Sequence, residues 1–380
     1  MRIFLLIWAL LAGGMADQVG HDANCGDWNG RGCGGVQVGH DGSYVGNEQN
    51  ISRQICGEQG GDGPGSGSAL VCGEQGGGNC GEPSGPGELV LFWNLENFFD
   101  YRDGGEGESD AAFSARGERH WTAKRFYTKC NAIAKALLWI GGKQGRMPDV
   151  IGVAEVENAF VLRRLLQTTL LRKLDYGIVH RESPDRRGID VALLYRKSRY
   201  DTLSVSLRKL YDGPIPLATR GILCVTLRDR TDGSVRHYLV NHHPSKFSGA
   251  AASQQRRVIA VETLRQVADS LGSGIIAMGD FNDQPVGGIY ETLSGTLTGK
   301  ADSLCRAGRG TIRFGGRREL IDAFFTSPEI DARMDIVEIP FLLTRDNTHA
   351  GSKPLRTYSG PRYTGGVSDH LPVLLRVQKK

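Results

Sequence analysis

A succession of short apolar runs and longer helical patterns, beginning at Leu89, constrains the fold of this chain more than any other feature. Leu89–Asn94 and Asp149–Glu155 are mostly apolar, as expected for strands that are buried on both faces of a sheet. The spacing of apolar residues predicts helices over 118–140 and 250–271, and another that ends near Leu174. Further strands are predicted near Ile178 and over 191–195, 202–210, 223–227, 238–241, 275–279, 320–326, 336–343 and 371–377. Several strands adjoin without a helix between them, so the pattern favours a mixed-sheet α/β sandwich over a simple doubly wound fold.

Residues 1–88 differ sharply in composition from this body. They hold 24 of the 53 glycines, and they carry 3 basic and 10 acidic side chains. A segment with so few large apolar residues cannot offset the entropy lost when so much glycine is ordered. We therefore expect residues 17–88 to be a glycine- and cysteine-rich leader that is disordered or loosely tied by disulfides. The folded domain is predicted to span residues 89–380.

The first 16 residues have the pattern of a secretory signal peptide. Arg2 supplies the positive start, Ile3–Ala12 forms a short apolar run, and Gly14 and Ala16 place small residues before the cleavage point. Eight cysteines fit an oxidising compartment. No apolar run reaches the roughly 18 residues of a membrane-spanning helix, so no integral membrane segment is expected. The predicted location is secreted or periplasmic.

The body is basic, with 43 lysines and arginines against 32 acidic residues. A positive excess of this size suits a polyanionic partner, either nucleic acid or an anionic lipid surface. The same excess also occurs in proteins that have no such partner. The choice between these possibilities therefore depends on the chemistry of the polar residues.

Polar side chains stand at the ends of the predicted strands. Asn94 ends the first strand, Glu155 ends the second, and His242 follows the strand 238–241. Each is a weak signal, because a lone asparagine or glutamate at a strand end is more often a cap and paired histidines are more often loop residues. Their positions nevertheless suggest one shared rim, where loops on a rigid scaffold place chemistry.

Two later segments carry a sharper signal. Asp280 and Asn282 lie two residues apart after the strand 275–279, which puts both side chains on one face of an extended segment. Asp322 lies inside an apolar run, where an unpaired carboxylate is costly. Asp369 and His370 immediately precede the last strand.

Together these groups indicate a metal-dependent hydrolase. Carboxylate and amide oxygens, without a cysteine or a tight histidine pair, favour Mg²⁺, with Mn²⁺ or Ca²⁺ as alternatives, over zinc. Hydrolysis of a phosphodiester needs an activated water, stabilisation of the phosphoryl oxygens and help for the leaving oxygen. Bound metal, a His–Asp pair and asparagine donors could meet those needs. The chain has neither a G-x-S-x-G nucleophile elbow nor a Walker loop.

With these residues in chain order, the body resembles the endonuclease/exonuclease/phosphatase superfamily, whose fold is that of deoxyribonuclease I. Six segments carry the resemblance: Trp93–Asn97, Ile151–Asn158, Arg187–Tyr195, Asn241–Ser245, Gly279–Asp283 and Ser368–His370. The segments around Arg313, Asp322, Tyr358 and Gly366 are similar to the bacterial exported subgroup. The resemblance implies an α/β fold built as a four-layered sandwich, in which two packed mixed β-sheets are flanked by helices. It also implies divalent-metal-dependent hydrolysis of phosphoester bonds.

The resemblance further implies a role for each candidate residue. Glu155 matches the principal metal ligand, and Asn94 and Asp369 would hold the metal or its waters. Asp280 would orient or deprotonate the attacking water, and Asn282 would donate to a phosphoryl oxygen. His370 would pair with Asp322, and His242 would lie near the scissile oxygens. Either Asp280 or His370 could be the general base.

The leading hypothesis is an exported nuclease that hydrolyses DNA or RNA, with nucleic acid as its partner. The basic body supports it, together with a cluster of basic residues that flanks Asp322 and Asp369: Arg313, Arg317, Arg318, Arg345, Lys353, Arg356 and Arg362. Such residues would give affinity without sequence preference. The alternatives are a phosphodiesterase or phosphatase acting on a lipid headgroup or small phosphate ester, and a non-enzymatic relative that only binds.

Overall fold

The computed structural model describes residues 87–102, 104–105, 107–246 and 250–378. The predicted signal peptide, residues 1–16, and all but the last two residues of the predicted leader, 17–88, lie outside these ranges.

Two six-stranded sheets form the centre of the described body. In chain order their strands are β1 (Glu88–Phe98), β2 (Val150–Val156), β3 (Tyr176–His180), β4 (Asp190–Arg196), β5 (Tyr200–Arg208), β6 (Ile222–Asp229), β7 (Val235–His242), β8 (Ile275–Asp280), β9 (Thr298–Gly299), β10 (Asp322–Thr326), β11 (Ala332–Ile336) and β12 (Val373–Val377). The order is β11-β12-β1-β2-β4-β3 in the first sheet and β9-β10-β8-β7-β6-β5 in the second. The pairs β1–β2 and β7–β8 are parallel and the other neighbours are antiparallel, so both sheets are mixed.

Helices and small hairpins complete the described structure. The helices are α1 (Ala123–Gln144), α2 (Ala159–Thr168), α3 (Ala250–Leu271) and the short α4 (Asp302–Arg306), with 3₁₀ turns at Leu170–Lys173, Gly288–Leu293 and Pro340–Leu342. Four two-stranded hairpins pair Tyr211–Asp212 with Ile215–Pro216, Ile312–Phe314 with Arg317–Glu319, Leu343–Arg345 with Ser352–Pro354, and Tyr358–Ser359 with Arg362–Tyr363. No helix in the described ranges combines the length and apolarity needed to cross a membrane.

The layers follow from the alternation of side chains along the strands. Successive strand residues point to opposite faces, and β1 buries both: Trp93 packs in a cluster with α1 and α2, whereas Phe92 packs between the two sheets. Helix α3 packs Leu264 into the apolar cluster that also contains the strands of the second sheet. The layers are therefore α1 and α2, the first sheet, the second sheet and α3. The predicted four-layered α/β sandwich is confirmed.

The two sheets approach closely at Gly152 of β2. A Cβ atom at this position would lie 2.5 Å from the Sδ atom of Met278, which belongs to β8 of the other sheet. Glycine removes this clash, so the strand that carries Glu155 can pack directly on the strand that carries Asp280.

Three elements have bounds that differ from those predicted from the sequence. Helix α1 begins at Ala123 rather than 118, because extended Thr122 caps it and its side chain accepts a hydrogen bond from the Arg125 backbone N–H. Helix α2 ends at Thr168, and a separate 3₁₀ turn carries the chain to Lys173. Strand β1 begins at Glu88, one residue before the predicted domain boundary.

The predicted strand 336–343 is wrong. The strand in this region is Ala332–Ile336, and the apolar residues after it form the 3₁₀ turn Pro340–Leu342. Proline has no N–H to donate to a strand partner and suits the first turn of a helix. The run is apolar because the turn packs into the core, where Ile339 and Leu342 are buried.

The three cysteines of the described body, Cys130, Cys224 and Cys305, are free thiols. Burial raises the pKa of Cys130 to about 12 and that of Cys224 to about 11. These two side chains therefore remain protonated and act as small apolar groups in the core.

Candidate active site

Irregularities in two adjacent strands turn Asn94 and Glu155 toward one rim. The parallel register between β1 and β2 shifts after Asn94, and the register between β2 and β4 shifts at Glu155. Glu155 has a φ of 58°, in the left-handed region that costs a non-glycine residue energy. The backbone N–H of Asn97, itself at a φ of 50°, donates to Glu155 Oε2 at 2.8 Å and holds the carboxylate in place.

The second sheet supplies a row of three residues on adjacent strands. His242 ends β7, Asp280 ends β8 and Asp322 begins β10, and the register pairs Asp280 with both of the others. All three side chains are buried. Strand pairing alone thus brings together groups that are up to 80 residues apart in sequence.

Asp280 is the centre of the site. Its Oδ2 atom accepts a hydrogen bond from Asn94 Nδ2 at 3.0 Å, so this contact joins the two sheets. The Nε2 atoms of His242 and His370 lie 3.6 Å and 3.7 Å from the same oxygen. His242 Nε2 also lies 3.9 Å from Glu155 Oε1.

His370 is held from both sides. Its Nδ1 atom is 2.8 Å from Asp322 Oδ2, and its backbone carbonyl accepts a hydrogen bond from Trp93 Nε1 at 3.0 Å. The Ser368 hydroxyl accepts from the His370 N–H and donates to the carbonyl of Asn94. These bonds fix the ring nitrogen Nε2 toward Asp280.

The two site histidines differ in charge. Burial opposes protonation of His370, but Asp322 and Asp280 outweigh burial and raise its pKa well above the ordinary value. Burial, reinforced by Arg220, lowers the pKa of His242 well below the ordinary value. At neutral pH His370 is therefore a cation, and His242 is neutral. Burial also raises the pKa of Asp280 to about 7.

Asn282 and His243 pack beside this centre. The Asn282 backbone N–H donates to Asp280 Oδ1 at 2.9 Å, and its side-chain amide donates to the carbonyl of His243 at 2.9 Å. His243 is buried, and its ring meets that of Phe281 edge-on at 4.8 Å. Asn282 is thus located at the site, with its amide nitrogen already bonded to the backbone.

Asp369 lies at the outer edge of the site and is about one-third exposed. Its Oδ1 atom is 3.8 Å from His370 Nε2, and its Oδ2 atom is 3.1 Å from Arg356. The same arginine donates from Nε to Glu96 Oε1 at 2.9 Å. The structure therefore brings all eight candidate residues to one rim: Asn94, Glu155, His242, Asp280, Asn282, Asp322, Asp369 and His370.

Two further residues at this rim, Glu96 and Lys129, were not predicted from the sequence to belong to the site. Glu96 is buried, and its carboxylate accepts from Arg356 and from the Thr357 N–H. Lys129 is buried in α1, and its ammonium donates to the carbonyl of Glu96 and to the Thr357 hydroxyl. Burial and nearby Asp369 raise the pKa of Glu96 to about 7, and burial lowers that of Lys129 to about 8. The sequence feature that could have indicated Glu96 as a site residue is its position two residues after Asn94.

One carboxylate oxygen at this rim is free to bind a divalent cation. Glu155 Oε1 accepts no hydrogen bond from the described residues, although the carboxylate is held firmly through Oε2. A charged oxygen that is positioned but not bonded is what a hard cation requires. Glu155 would hold the ion with Asn94 and Asp369, and Mg²⁺, Mn²⁺ and Ca²⁺ all suit these ligands.

A second His–carboxylate group occurs in the described residues. His180, Glu182 and Asp190 offer ligand atoms within 4.8 Å of one another, as do Asp280, Asp322 and His370. Asp190 is already used, because one oxygen accepts from the Ser183 N–H and the other is 3.0 Å from His180 Nε2. These bonds hold His180 and Ser183 beside Asp190, which pairs with Val156 in the register of β2 and β4.

The basic residues near the site divide into tied and free groups. Arg313 and Lys353 both pair with Asp346. Arg318 donates a hydrogen bond to the carbonyl of Ser352, and Arg356 is bonded to Glu96 and Asp369. Arg317, Arg345 and Arg362 are exposed and have no ionic partner among the described residues. Three arginines thus remain available for an anion.

The fold and the residues at its rim are those expected of a family of phosphoester hydrolases built on a four-layered α/β sandwich. The family model described as Endonuclease/Exonuclease/phosphatase family matches residues 89–379. The chain belongs to this family, whose members are phosphoric ester hydrolases and commonly depend on a divalent metal.

Solved structures support the same fold. The catalytic domain of human nocturnin with bound sulfate is 17% identical, with 77% of this chain and 94% of that chain covered and a TM-score of 0.51. A family protein from Bacteroides thetaiotaomicron is 18% identical, with 78% and 98% covered and a TM-score of 0.50. A mannosyl-6-phosphatase from the same organism is 17% identical, with 77% and 100% covered and a TM-score of 0.50. A search of curated proteins found no match.

Proposed function

We propose that this protein is an exported, divalent-metal-dependent nuclease that hydrolyses phosphodiester bonds of DNA or RNA. One observation carries the catalytic part of the proposal. Asn94, His242 and His370 converge on a single buried oxygen, Asp280 Oδ2, at 3.0, 3.6 and 3.7 Å. Neutral and cationic groups around one carboxylate match the needs of phosphodiester hydrolysis.

The charge states favour Asp280 over His370 as the general base. His370 is held protonated by Asp322 and Asp280, so it cannot accept a proton. Asp280, whose pKa is raised by burial to about 7, can accept the proton of the attacking water near neutral pH. Asn94 orients this carboxylate, and the His370 cation can donate a hydrogen bond from Nε2 to a phosphoryl oxygen.

The metal and the remaining residues act on the phosphate. A divalent cation bound by Glu155, Asn94 and Asp369 would offset negative charge on the phosphoryl oxygens and favour ionisation of water. Neutral His242 lies between Glu155 and Asp280, where its Nε2 can donate to a substrate oxygen. Arg187, 3.5 Å from Glu155 Oε2, adds positive charge at the entrance.

Charge favours nucleic acid over a small ester. The body carries 11 more basic than acidic residues, far more than one phosphate needs. Arg317, Arg345 and Arg362 are free at the surface near the hairpins that flank the site. Because the phosphates of a nucleic acid release bound counterions on such residues, affinity should fall steeply with salt. The proposal includes export because residues 1–16 have the pattern of a secretory signal peptide.

The test is cleavage of plasmid DNA and of RNA by the purified chain with Mg²⁺, in parallel with EDTA. We expect Asp280→Asn to lower kcat by roughly 10²- to 10⁴-fold, the usual range for loss of a general base. Glu155→Gln should raise the Mg²⁺ concentration needed for activity. Asp302→Asn, in α4 and away from the rim, is the matched control and should cleave as the wild type does.

The choice between a nuclease and another phosphoesterase is tested on substrates that are not nucleic acids. Glu155-dependent turnover of a chromogenic phosphodiester or sphingomyelin, with DNA and RNA left intact, would replace the nuclease by the alternative esterase. Absence of turnover on every phosphoester would reject the enzyme.

A further inference from the structure

The hairpin Ile312–Glu319 begins and ends at the catalytic pair His370–Asp322. At its start, the carbonyl of Thr311 accepts from the N–H of Leu371, the residue after His370, at 2.8 Å. At its end, the carbonyl of Ile321, the residue before Asp322, accepts from the Phe281 N–H at 2.8 Å. Two strands thus leave the rim side by side. Each strand has three residues at ~3.3 Å per residue, so the tip of the hairpin lies about 10 Å from the point where the hairpin leaves the rim.

The tip carries one isolated aromatic side chain. Phe314 is 73% exposed, more than any other large hydrophobic residue in the described structure. It is the only exposed large hydrophobic side chain described between residues 287 and 378, and its ring contacts no other aromatic ring or cation there. Most of this ring is therefore free to contact a ligand.

An unpaired arginine stands directly opposite this ring. Phe314 and Arg317 are partners in the hairpin register, so their side chains leave on the same face with Cβ atoms about 5 Å apart. Arg317 is exposed, and its guanidinium makes no hydrogen bond or ion pair within the described residues. By contrast, neighbouring Arg313 is tied to Asp346 at 2.9 Å and to the Ala350 carbonyl, which fixes the hairpin against the next one.

We propose that the hairpin tip binds single-stranded nucleic acid, with a base stacked on Phe314 and a backbone phosphate on Arg317. The inference rests on the proposed nuclease function and narrows its substrate to a strand with unpaired bases near the cleavage point. Stacking on an aromatic face combined with a basic side chain is how single strands are bound without sequence preference. Stacked and paired bases in a duplex do not offer that face.

The apolar area at the tip favours a nucleic acid over a membrane. Insertion into a bilayer surface gains affinity from a broad apolar face together with basic residues. Here glycines, Gly315 and Gly316, separate the single ring of Phe314 from Arg317. One ring matches the area of one base.

The experiment measures binding of the full chain to a fluorescent oligothymidylate of roughly 12 nucleotides, within the usual site-size range. EDTA prevents turnover, and fluorescence anisotropy reports the Kd. We expect Phe314→Ala to weaken binding by about 5- to 150-fold, the effect of losing one stacked base. Phe314→Trp should keep the affinity, and Phe314→Leu should not.

An abasic oligonucleotide, which keeps the phosphates but lacks the bases, separates the contribution of base stacking from that of the phosphates. Wild type should bind an abasic oligonucleotide as weakly as Phe314→Ala binds the normal one, and Phe314→Ala should lose nothing further. Arg317→Glu should weaken binding to both oligonucleotides and reduce the dependence on salt. The matched controls are Leu170→Ala, at an exposed apolar residue beyond α2, and Arg333→Glu, at an exposed arginine on edge strand β11. Both should bind as wild type.

The outcomes separate this inference from the proposed function. Wild-type cleavage of the oligonucleotide with Mg²⁺, combined with unchanged binding by Phe314→Ala, would overturn the stacking and leave the nuclease intact. A wild type that neither binds nor cleaves the oligonucleotide but cleaves plasmid DNA or RNA would overturn the inference alone, and one that leaves all three intact would overturn the nuclease as well. A loss by Phe314→Ala of binding to phosphatidylserine–phosphatidylcholine vesicles, with oligonucleotide binding unchanged, would make the tip a membrane contact and overturn the inference.

Discussion

Three buried histidines at one rim show how neighbours determine what the same side chain can do. His370 faces two carboxylates and is a cation, whereas His242 is buried beside arginines and is neutral. His243 has no hydrogen bond to either ring nitrogen within the described residues, and burial lowers its pKa to about 3. It acts as an aromatic ring packed on Phe281.

Replacing His243 with phenylalanine should make the protein less sensitive to acid. The folded-state pKa of His243 lies below its unfolded value of about 6.5, so the unfolded chain gains a proton that the folded chain excludes as pH falls between these values. Wild type should therefore lose about 2 kcal/mol of unfolding free energy through this residue between pH 7.5 and 5, and His243→Phe should not.

Urea unfolding at the two pH values measures the difference. The control is His349→Phe, at a histidine that is exposed. An equally steep acid loss in His243→Phe and wild type would contradict the assignment.

Sequence could identify the strand-end residues but not all of their partners. Asn94, Glu155 and Asp280 were accessible because each ends an apolar run. The bond between Glu96 and Arg356 was not, because these residues are 260 positions apart and no sequence pattern links them. Likewise, no pattern marks Lys129 as a buried cation, since it looks like the polar face of a helix until Glu96 and Thr357 are placed against it.

At the scale of elements, a side-chain cap at Asn158 starts the helix that follows the site-bearing strand β2. Strand β2 ends just after Glu155, and α2 begins at Ala159. Asn158 between them has an extended backbone, and its Oδ1 atom accepts from the N–H groups of Phe160 at 2.8 Å and Val161 at 3.2 Å. These bonds satisfy two of the donors that a helix start leaves open.

Asn158→Ala should lower the free energy of unfolding by about 1 kcal/mol, the usual cost of losing such a cap. Asn158→Ser should recover most of the loss, because serine can accept the same hydrogen bonds. Equilibrium denaturation of both variants provides the comparison. If alanine and serine were equally stable, the side-chain cap would not be what starts α2.

Buried strands were the most predictable elements, because both faces of the central strands are covered and the chain is apolar throughout. The run 336–343 is equally apolar, but Pro340 turns it into a 3₁₀ segment. Small hairpins such as Ile312–Glu319 lack both an apolar run and a helical period. Their formation depends on contacts with distant loops, for example between Arg313 and Asp346, so composition could not reveal them.

At the scale of the whole molecule, the first strand residue links the two sheets at the end away from the site. Glu88 is buried, and its Oε1 atom accepts hydrogen bonds from the Tyr200 hydroxyl at 2.9 Å and from the Tyr238 hydroxyl. Burial raises the pKa of the Glu88 carboxyl. A domain boundary drawn between residues 88 and 89 would remove this acceptor.

A fragment of residues 87–380 should therefore cleave substrate as the full chain does, whereas 89–380 should be less stable. Loss of Glu88 leaves two tyrosine hydroxyls without their acceptor, at a cost of about 1–3 kcal/mol for each buried group that stays unsatisfied. Glu88→Gln within 87–380 keeps an acceptor oxygen and should lie between the two. Thermal unfolding and initial cleavage rates test this order, and equal stability of the two fragments would refute it.

The position of β12 has a consequence for biosynthesis. This last strand returns beside β1, and His370 just before it completes the pair with Asp322. A nascent polypeptide that has emerged only as far as the hairpin Leu343–Pro354 already contains Glu155 and Asp280 but has no His370. Under the proposed mechanism, translation would therefore yield a precursor without the His370 imidazolium, and hydrolysis would begin only after the final strand docks.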